Sequence, residues 1–277
     1  SVLTMDANSA LTLTGTGTFV IATGSATTSG TLNLDGGTLT NSRAITGSVG
    51  NSTFNFNGGT LKSGAAFTMS GQATANVRNG GAIIDSTGGT ITMTQALLHS
   101  NVGGDNATDG GLTKNGNGTL SLSGANTFTG PTAVNAGALT LSNATGLTTS
   151  SGVTVAGGAA LQISAVSPTF STTTLALNGT GPGGAGALQT VGGSGTTTWN
   201  GAVSLGADSL IAVNGGTRLN IGGTINLGSF NLTVQTDGSN TDTFSNIISG
   251  TGGITKTSTS KLVLSGANNY TGATNVD

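Results

Sequence analysis

His99 is the single histidine in a chain of 277 residues that contains no cysteine and no glutamate. Zinc centres and Ser-His relays are assembled from such side chains, so neither has a second histidine or a thiolate to build on. The acids are nine aspartates: Asp6, Asp35, Asp85, Asp105, Asp109, Asp208, Asp237, Asp242 and Asp277. Acid–base work on polysaccharides needs paired carboxylates, and these are dispersed. One local group remains, GGDNATDGG at residues 103–111. Asp105 and Asp109, with Asn101 and Asn106, offer the hard oxygen ligands that calcium takes. Their order does not fit the Gly-Gly-x-Gly-x-Asp calcium repeat. The expectation is a solvated loop, with calcium at Asp105 and Asp109 as the weaker alternative. The run GTGPGGAG at 179–186 lacks the lysine and helix of a phosphate loop. Trp199 and Tyr270 are the only tryptophan and tyrosine. Trp199, close to a Gly-rich segment, is the one candidate for a sugar-stacking platform. No catalytic residue and no cofactor are expected.

The rest of the composition describes a scaffold. Seven Lys and Arg against nine Asp leave a net charge of −2, and 50 residues are glycine. That charge is too small to steer nucleic acid or an anionic membrane, and the basic residues are scattered. No apolar run approaches the roughly 20 residues of a spanning helix. Residues 1–20 lack the basic start and unbroken apolar stretch of a signal peptide. Short alternating runs such as Leu32-Asn33-Leu34, Phe54-Asn55-Phe56 and Leu120-Ser121-Leu122 place every second side chain on one face. The fold class is all-β.

The elements repeat. LNLDGGTLTNS, FNFNGGTLKSG and NVRNGGAIIDS recur at 22-residue intervals around Gly36-Gly37, Gly58-Gly59 and Gly80-Gly81. Asp35, Asn57, Asn79 and Asn101 share one further column. Asp, Asn and Gly accept left-handed backbone, so the column marks a recurring corner. A coil of three short strands and three corners is the rung of a right-handed parallel β-helix, a β-solenoid with about 22 residues per rung. Residues 1–277 are expected to form a single continuous solenoid of about twelve or thirteen rungs, on the order of 60 Å long. Leu39, Leu61 and Ile83 are the expected core ladder. Arg78 falls in the apolar column of Leu34 and Phe56, beside Val77, so a bulge near Val77 or a slightly different rung there is expected. Further along, Gly157-Gly158, Gly192-Gly193, Gly215-Gly216 and Gly222-Gly223 punctuate the chain irregularly, and residues 180–198 are expected to leave the rod as a loop.

A longer repeat is also present. GGLTKNGNGTLSLSGANTFTGPTAVN at 110–135 and GGITKTSTSKLVLSGANNYTGATNVD at 252–277 are identical at 14 of 26 positions. Leu120, Leu122 and Phe128 in the first copy match Leu262, Leu264 and Tyr270 in the second, as two inward positions, a corner and a third inward position. Lys114 and Lys256 match as well and are expected to face solvent. The pattern resembles the autotransporter-associated β-strand repeat of bacterial passenger regions. The resemblance implies a β-helical, extracellular or surface-exposed segment, and its motif is architectural.

Three roles then compete. The first is a non-catalytic structural stalk or filament segment on a bacterial surface, extended by rung stacking. The second is an adhesin passenger domain that binds glycans or proteins through exposed loops such as 101–110 and 180–198. The third is a polysaccharide-active β-helix enzyme, which the dispersed aspartates disfavour. TNVD at the end, followed by SVLTMDANSA at the start, resembles TAVNAGALTLSNA with one residue missing. The expected partner is therefore the chain itself, head to tail through Val2, Leu3, Met5 and Val276, or the continuation of a longer chain.

Overall fold

The computed structural model describes residues 1–22, 27–47, 51–192, 195–214 and 216–277. Among them are short strands throughout, a 3₁₀ turn at Pro182–Gly184 and no α-helix. Among the described residues no helix is long and apolar enough to cross a membrane. The chain divides into two compact units, residues 1–132 and 133–277, and each is a parallel β-solenoid.

In the first unit every coil contributes strands to three sheets. One sheet stacks Val2–Met5, Ser29–Leu34, Asn51–Phe56, Thr74–Val77 and Leu98–His99. The second stacks Ala10–Leu13, Thr38–Asn41, Thr60–Ser63, Ala82–Asp85 and Leu112–Asn115. The third stacks Thr18–Val20, Ala44–Thr46, Phe67–Ser70, Ile91–Met93 and Thr119–Leu122. Strands of two to six residues are too short to stand alone. Stacking pairs their backbones and buries one side of each. Leu32 and Leu34 turn inward while Thr31 and Asn33 turn outward, which is the pleat read directly from the alternation.

The 22-residue register holds for two coils and then changes. Leu34 pairs with Phe56 and Leu39 with Leu61, and all four are fully buried. Phe56, however, pairs with Val77 rather than Arg78. Leu61 pairs with Ile84 rather than Ile83. Ile84 is fully buried, whereas Ile83 lies half-buried on the outer face. The ladder is thus Leu39, Leu61 and Ile84. The cause is a corner two residues longer between Val77 and Ile84 than between Phe56 and Leu61. The backbone N–H of Gly81 donates to the carbonyl of Arg78 at 2.9 Å and closes that extra turn. The irregularity is therefore a slightly different rung, with its longer corner after Val77, and not a bulge within the strand. Other coils are longer still: Met5 pairs with Leu34 and Met93 with Leu122. The chain makes about 11 turns, fewer than twelve or thirteen, because these coils carry extra corner residues.

The corner column is a chain of hydrogen bonds. The Asn57 amide donates to Asp35 Oδ1 at 3.0 Å, and its oxygen accepts the Gly80 N–H at 2.8 Å. On the outer wall Asn76 donates to Asn55 and Asn55 to Asn33, each at 2.8 Å. Val2 and Leu3 are exposed, as is Val276 in the second unit. Met5 is not: it turns inward and pairs with Leu34, so alternation makes it core rather than a free contact.

In the second unit one ladder runs through Leu139, Leu161, Leu188, Ile211 and Val234. A second sheet pairs Gly152–Val155 with Thr174–Leu177, and a third joins Gly195–Trp199 to Thr169–Phe170 and Thr217–Ile221. Residues 180–198 do not form one projecting loop. Among the described residues of the segment the excursion is the turn around Pro182–Gly184, and Leu188–Thr190 returns to the wall buried. Gly193 of that segment and Gly215 lie outside the described residues. Trp199 has no exposed surface and stacks on Phe170 at 4.4 Å. It is core, so no sugar can stack on it.

Candidate functional site

The densest group of titratable side chains lies on the first unit, where the strands Thr74–Val77 and Leu98–His99 meet the loop of residues 100–110. Arg78 leaves the wall because Val77 takes the inward position. Its guanidinium then reaches Asp105, with Nε 2.9 Å from Oδ2 and Nη2 3.0 Å from Oδ1. The Ser100 hydroxyl donates to the same carboxylate at 2.5 Å. Asp35 stands 4.0 Å from the other face of Arg78. The guanidinium hydrogen bond holds Asp105 below the usual carboxylate range, against its burial and with help from Ser100. It raises Arg78 in return.

Asp109 sits beside this pair with its side chain only 1% exposed. Oδ1 accepts the N–H groups of Gly111 and Gly130, both at 2.9 Å. Oδ2 accepts the N–H of Thr129 at 2.8 Å and its hydroxyl at 3.2 Å. The His99 imidazole reaches Oδ2 through Nδ1, at 2.8 Å. Burial opposes the charge, but the donors from Thr129, His99, Gly130 and Gly111 outweigh it and hold Asp109 below its ordinary value.

This constellation of Asp, His and Thr has the residue types of a nucleophilic relay but not the geometry. A relay places the acid on one imidazole nitrogen and the hydroxyl on the other. Here Thr129 Oγ1 and Asp109 both address Nδ1, the hydroxyl at 3.3 Å. Nor do Asp105 and Asp109 converge on a cation position. One is spent on a bidentate arginine and the other on three backbone N–H groups. Among the described residues no cluster of three or more metal-ligating side chains occurs. The exposed part of the loop is residues 101–104, 106–108 and 110, while the two carboxylates turn inward.

The sequence reading missed these partners for a simple reason. Arg78 and Asp105 are 27 residues apart, and Thr129 lies 30 beyond His99. Only coil stacking makes them neighbours. The signal that was available was Arg78 itself, a charge standing in an apolar column. Lys114 and Lys256 are a second correction. Lys114 has no exposed surface and Lys256 only 6%, so neither faces solvent. Their place two residues after Leu112 and Ile254 puts them on the same inward face as those residues.

Residues 112–141 and 254–277 match the model of the passenger-associated-transport-repeat. The chain carries this repeat twice. No curated protein and no solved structure matches. The repeat and the β-solenoid architecture together fit an autotransporter passenger domain.

The passenger-associated repeat's own residues have structural tasks. In Ser-Gly-Ala-Asn, the Asn126 side-chain oxygen accepts the Leu97 N–H at 2.8 Å, and that of Asn268 accepts the Ile248 N–H at 3.0 Å. The glycine two residues earlier lies against the neighbouring coil. A Cβ on Gly124 would stand 2.6 Å from the Ala96 backbone, and one on Gly266 would stand 2.0 Å from the Asn246 carbonyl oxygen. The tetrad is therefore a close-packed contact between coils as well as a corner. Leu120, Leu122 and Phe128 are buried, whereas Leu262, Leu264 and Tyr270 are partly exposed.

Proposed function

We propose that the chain is a non-catalytic, extracellular structural segment of an autotransporter-type passenger, a β-solenoid stalk that holds other parts of a surface protein away from a bacterial cell. The passenger-associated repeat implies a secreted or surface-exposed protein. The observation that carries the structural reading is how the polar groups are spent. Arg78, Asp105, His99, Asp109 and the Asn33–Asn55–Asn76 row all bond to other parts of the same wall. Groups kept for a substrate would be left partly unsatisfied and convergent in a cleft.

The stacking of coils extends naturally to self-association or to continuation in a longer chain, since parallel strands at a solenoid edge keep one row of backbone groups for a further strand. Head-to-tail stacking is heterologous and non-closing, and yields fibres. Electron microscopy and sedimentation of the native surface material test this: rods with an axial repeat support the filament form, and discrete monomers with covered ends rule it out. The non-catalytic reading is tested by incubating purified protein with bacterial and host polysaccharides. No release of reducing ends is expected. Turnover that disappears in Asp105→Asn or Asp109→Asn would overturn it.

The adhesive reading rests on the exposed Val102 and Val166 in loops. A glycan- or protein-array signal lost on replacing residues 101–104 would favour it over the stalk.

A further inference from the structure

Lys114 and Lys256 hold the same place in the two passenger-associated repeats, and each continues an aliphatic ladder. Lys114 pairs with Ile84, which pairs with Leu61. Lys256 pairs with Val234. A leucine at such a position would bury apolar surface without desolvating a charge, so the ammonium must return something that an aliphatic chain cannot.

The hydrogen bonds show what it returns. Lys114 Nζ donates to the carbonyl oxygens of Asn115 at 3.0 Å and Gly116 at 2.7 Å. Lys256 Nζ donates to those of Thr257 and Ser258, the second at 2.8 Å. Both side chains thus stay inside their own coil and reach the last residue of their strand and the first residue of the corner that follows. Gly116 and Ser258 occupy the same position of the repeat, and both are left-handed, with φ of 79° and 71°. Ser258 is one of two non-glycine residues in that region among the described residues, the other being Ser167. An L side chain is strained there, and glycine is not.

The geometry points to an internal clasp: the repeat lysine is a positioning residue whose buried ammonium binds the carbonyls of the strand's last residue and the corner's first, and holds that first corner residue left-handed, so that the repeat can place a residue other than glycine there. An ammonium carries three donors and can serve both acceptors at once. Methionine matches the bulk of lysine but donates nothing. The two copies form a natural pair of controls, because one corner has glycine and the other has serine.

Amide hydrogen exchange in the full chain tests the clasp with Lys256→Met, Ser258→Gly, the double variant and Lys114→Met. Lys256→Met is expected to speed exchange across residues 257–262 by about tenfold or more. The double variant is expected to return close to the Ser258→Gly rate, because glycine removes the strain that the clasp holds. Lys114→Met is expected to loosen residues 115–120 less than Lys256→Met loosens its own corner. A lysine that merely fills space would give equal losses at both corners, and that result overturns the inference. So does unchanged exchange in Lys256→Met, or a double variant no better protected than Lys256→Met, folded or not.

Discussion

Asp109 accepts three backbone N–H groups, so an isosteric amide cannot replace it. In Asp109→Asn one side-chain nitrogen must face donors at Gly111 and Gly130 or at Thr129. The variant is expected to lose about 3 kcal/mol of unfolding free energy, measured by denaturant titration. Because the folded pKa of Asp109 is depressed, its contribution is complete above the unfolded value of about 3.9 and disappears as pH falls through the folded one. Lys114 gives the same slope with pH from the opposite cause, a charge that the fold disfavours. Burial pushes its ammonium down to about 8, with Asp85 opposing. The folded state therefore sheds that proton before the unfolded state does, and stability rises between pH 8 and the ordinary lysine value near 10.5. The rise is on the order of 3 kcal/mol, and thermal melts across that range should show it in the native protein but not in Lys114→Met. The burial of this lysine was legible, since Leu112-Thr113-Lys114 alternates. The polar cluster was not, because its members meet only after residues 100–110 fold back over the wall.

Leu61 lies between Leu39 and Ile84 with no exposed surface. Leu61→Asp is expected to cost on the order of 4 kcal/mol, because it leaves a charge unpaired between two coils. The neighbouring isoleucines separate the two registers more sharply. Ile84→Asp should destabilise about as much as Leu61→Asp, while Ile83→Asp, on the outer face, should cost about 1 kcal/mol or less. Denaturant midpoints of the three variants decide it, and a larger loss at Ile83 would restore the uniform 22-residue ladder. Corners and strands differ in how plainly the sequence shows them. Gly58-Gly59 and Gly80-Gly81 are 22 apart, yet the strands after them are offset by 23, from Leu61 to Ile84. Glycine tolerates several turn positions, so its spacing locates a corner without setting the register of the next strand. The apolar pairs Phe56–Val77 and Leu61–Ile84 set it, since a one-residue slip would put the polar faces inside.

At the scale of the whole molecule, the all-β solenoid was legible because one pattern repeats many times and each copy supports the same conclusion. The lengths of individual coils were not, since extra corner residues are tolerated at little cost and leave no mark on the inward pattern. If the coils do architectural work, they should be separable parts. Residues 35–56 make one coil, from the corner after Leu34 to its register partner Phe56. Excising them joins Leu34 to Asn57 and lets Ser29–Leu34 pair directly with Thr74–Val77. Excising only 35–45 would instead leave the following strand on the wrong sheet. Calorimetry of these two deletions is the most direct measurement. A cooperative transition after removal of 35–56, with its enthalpy lowered by roughly one-twelfth, and a collapse of that transition after removal of 35–45 are the predicted results. Loss of the transition in both, or its survival in both, would contradict the coil as the unit from which this protein is built.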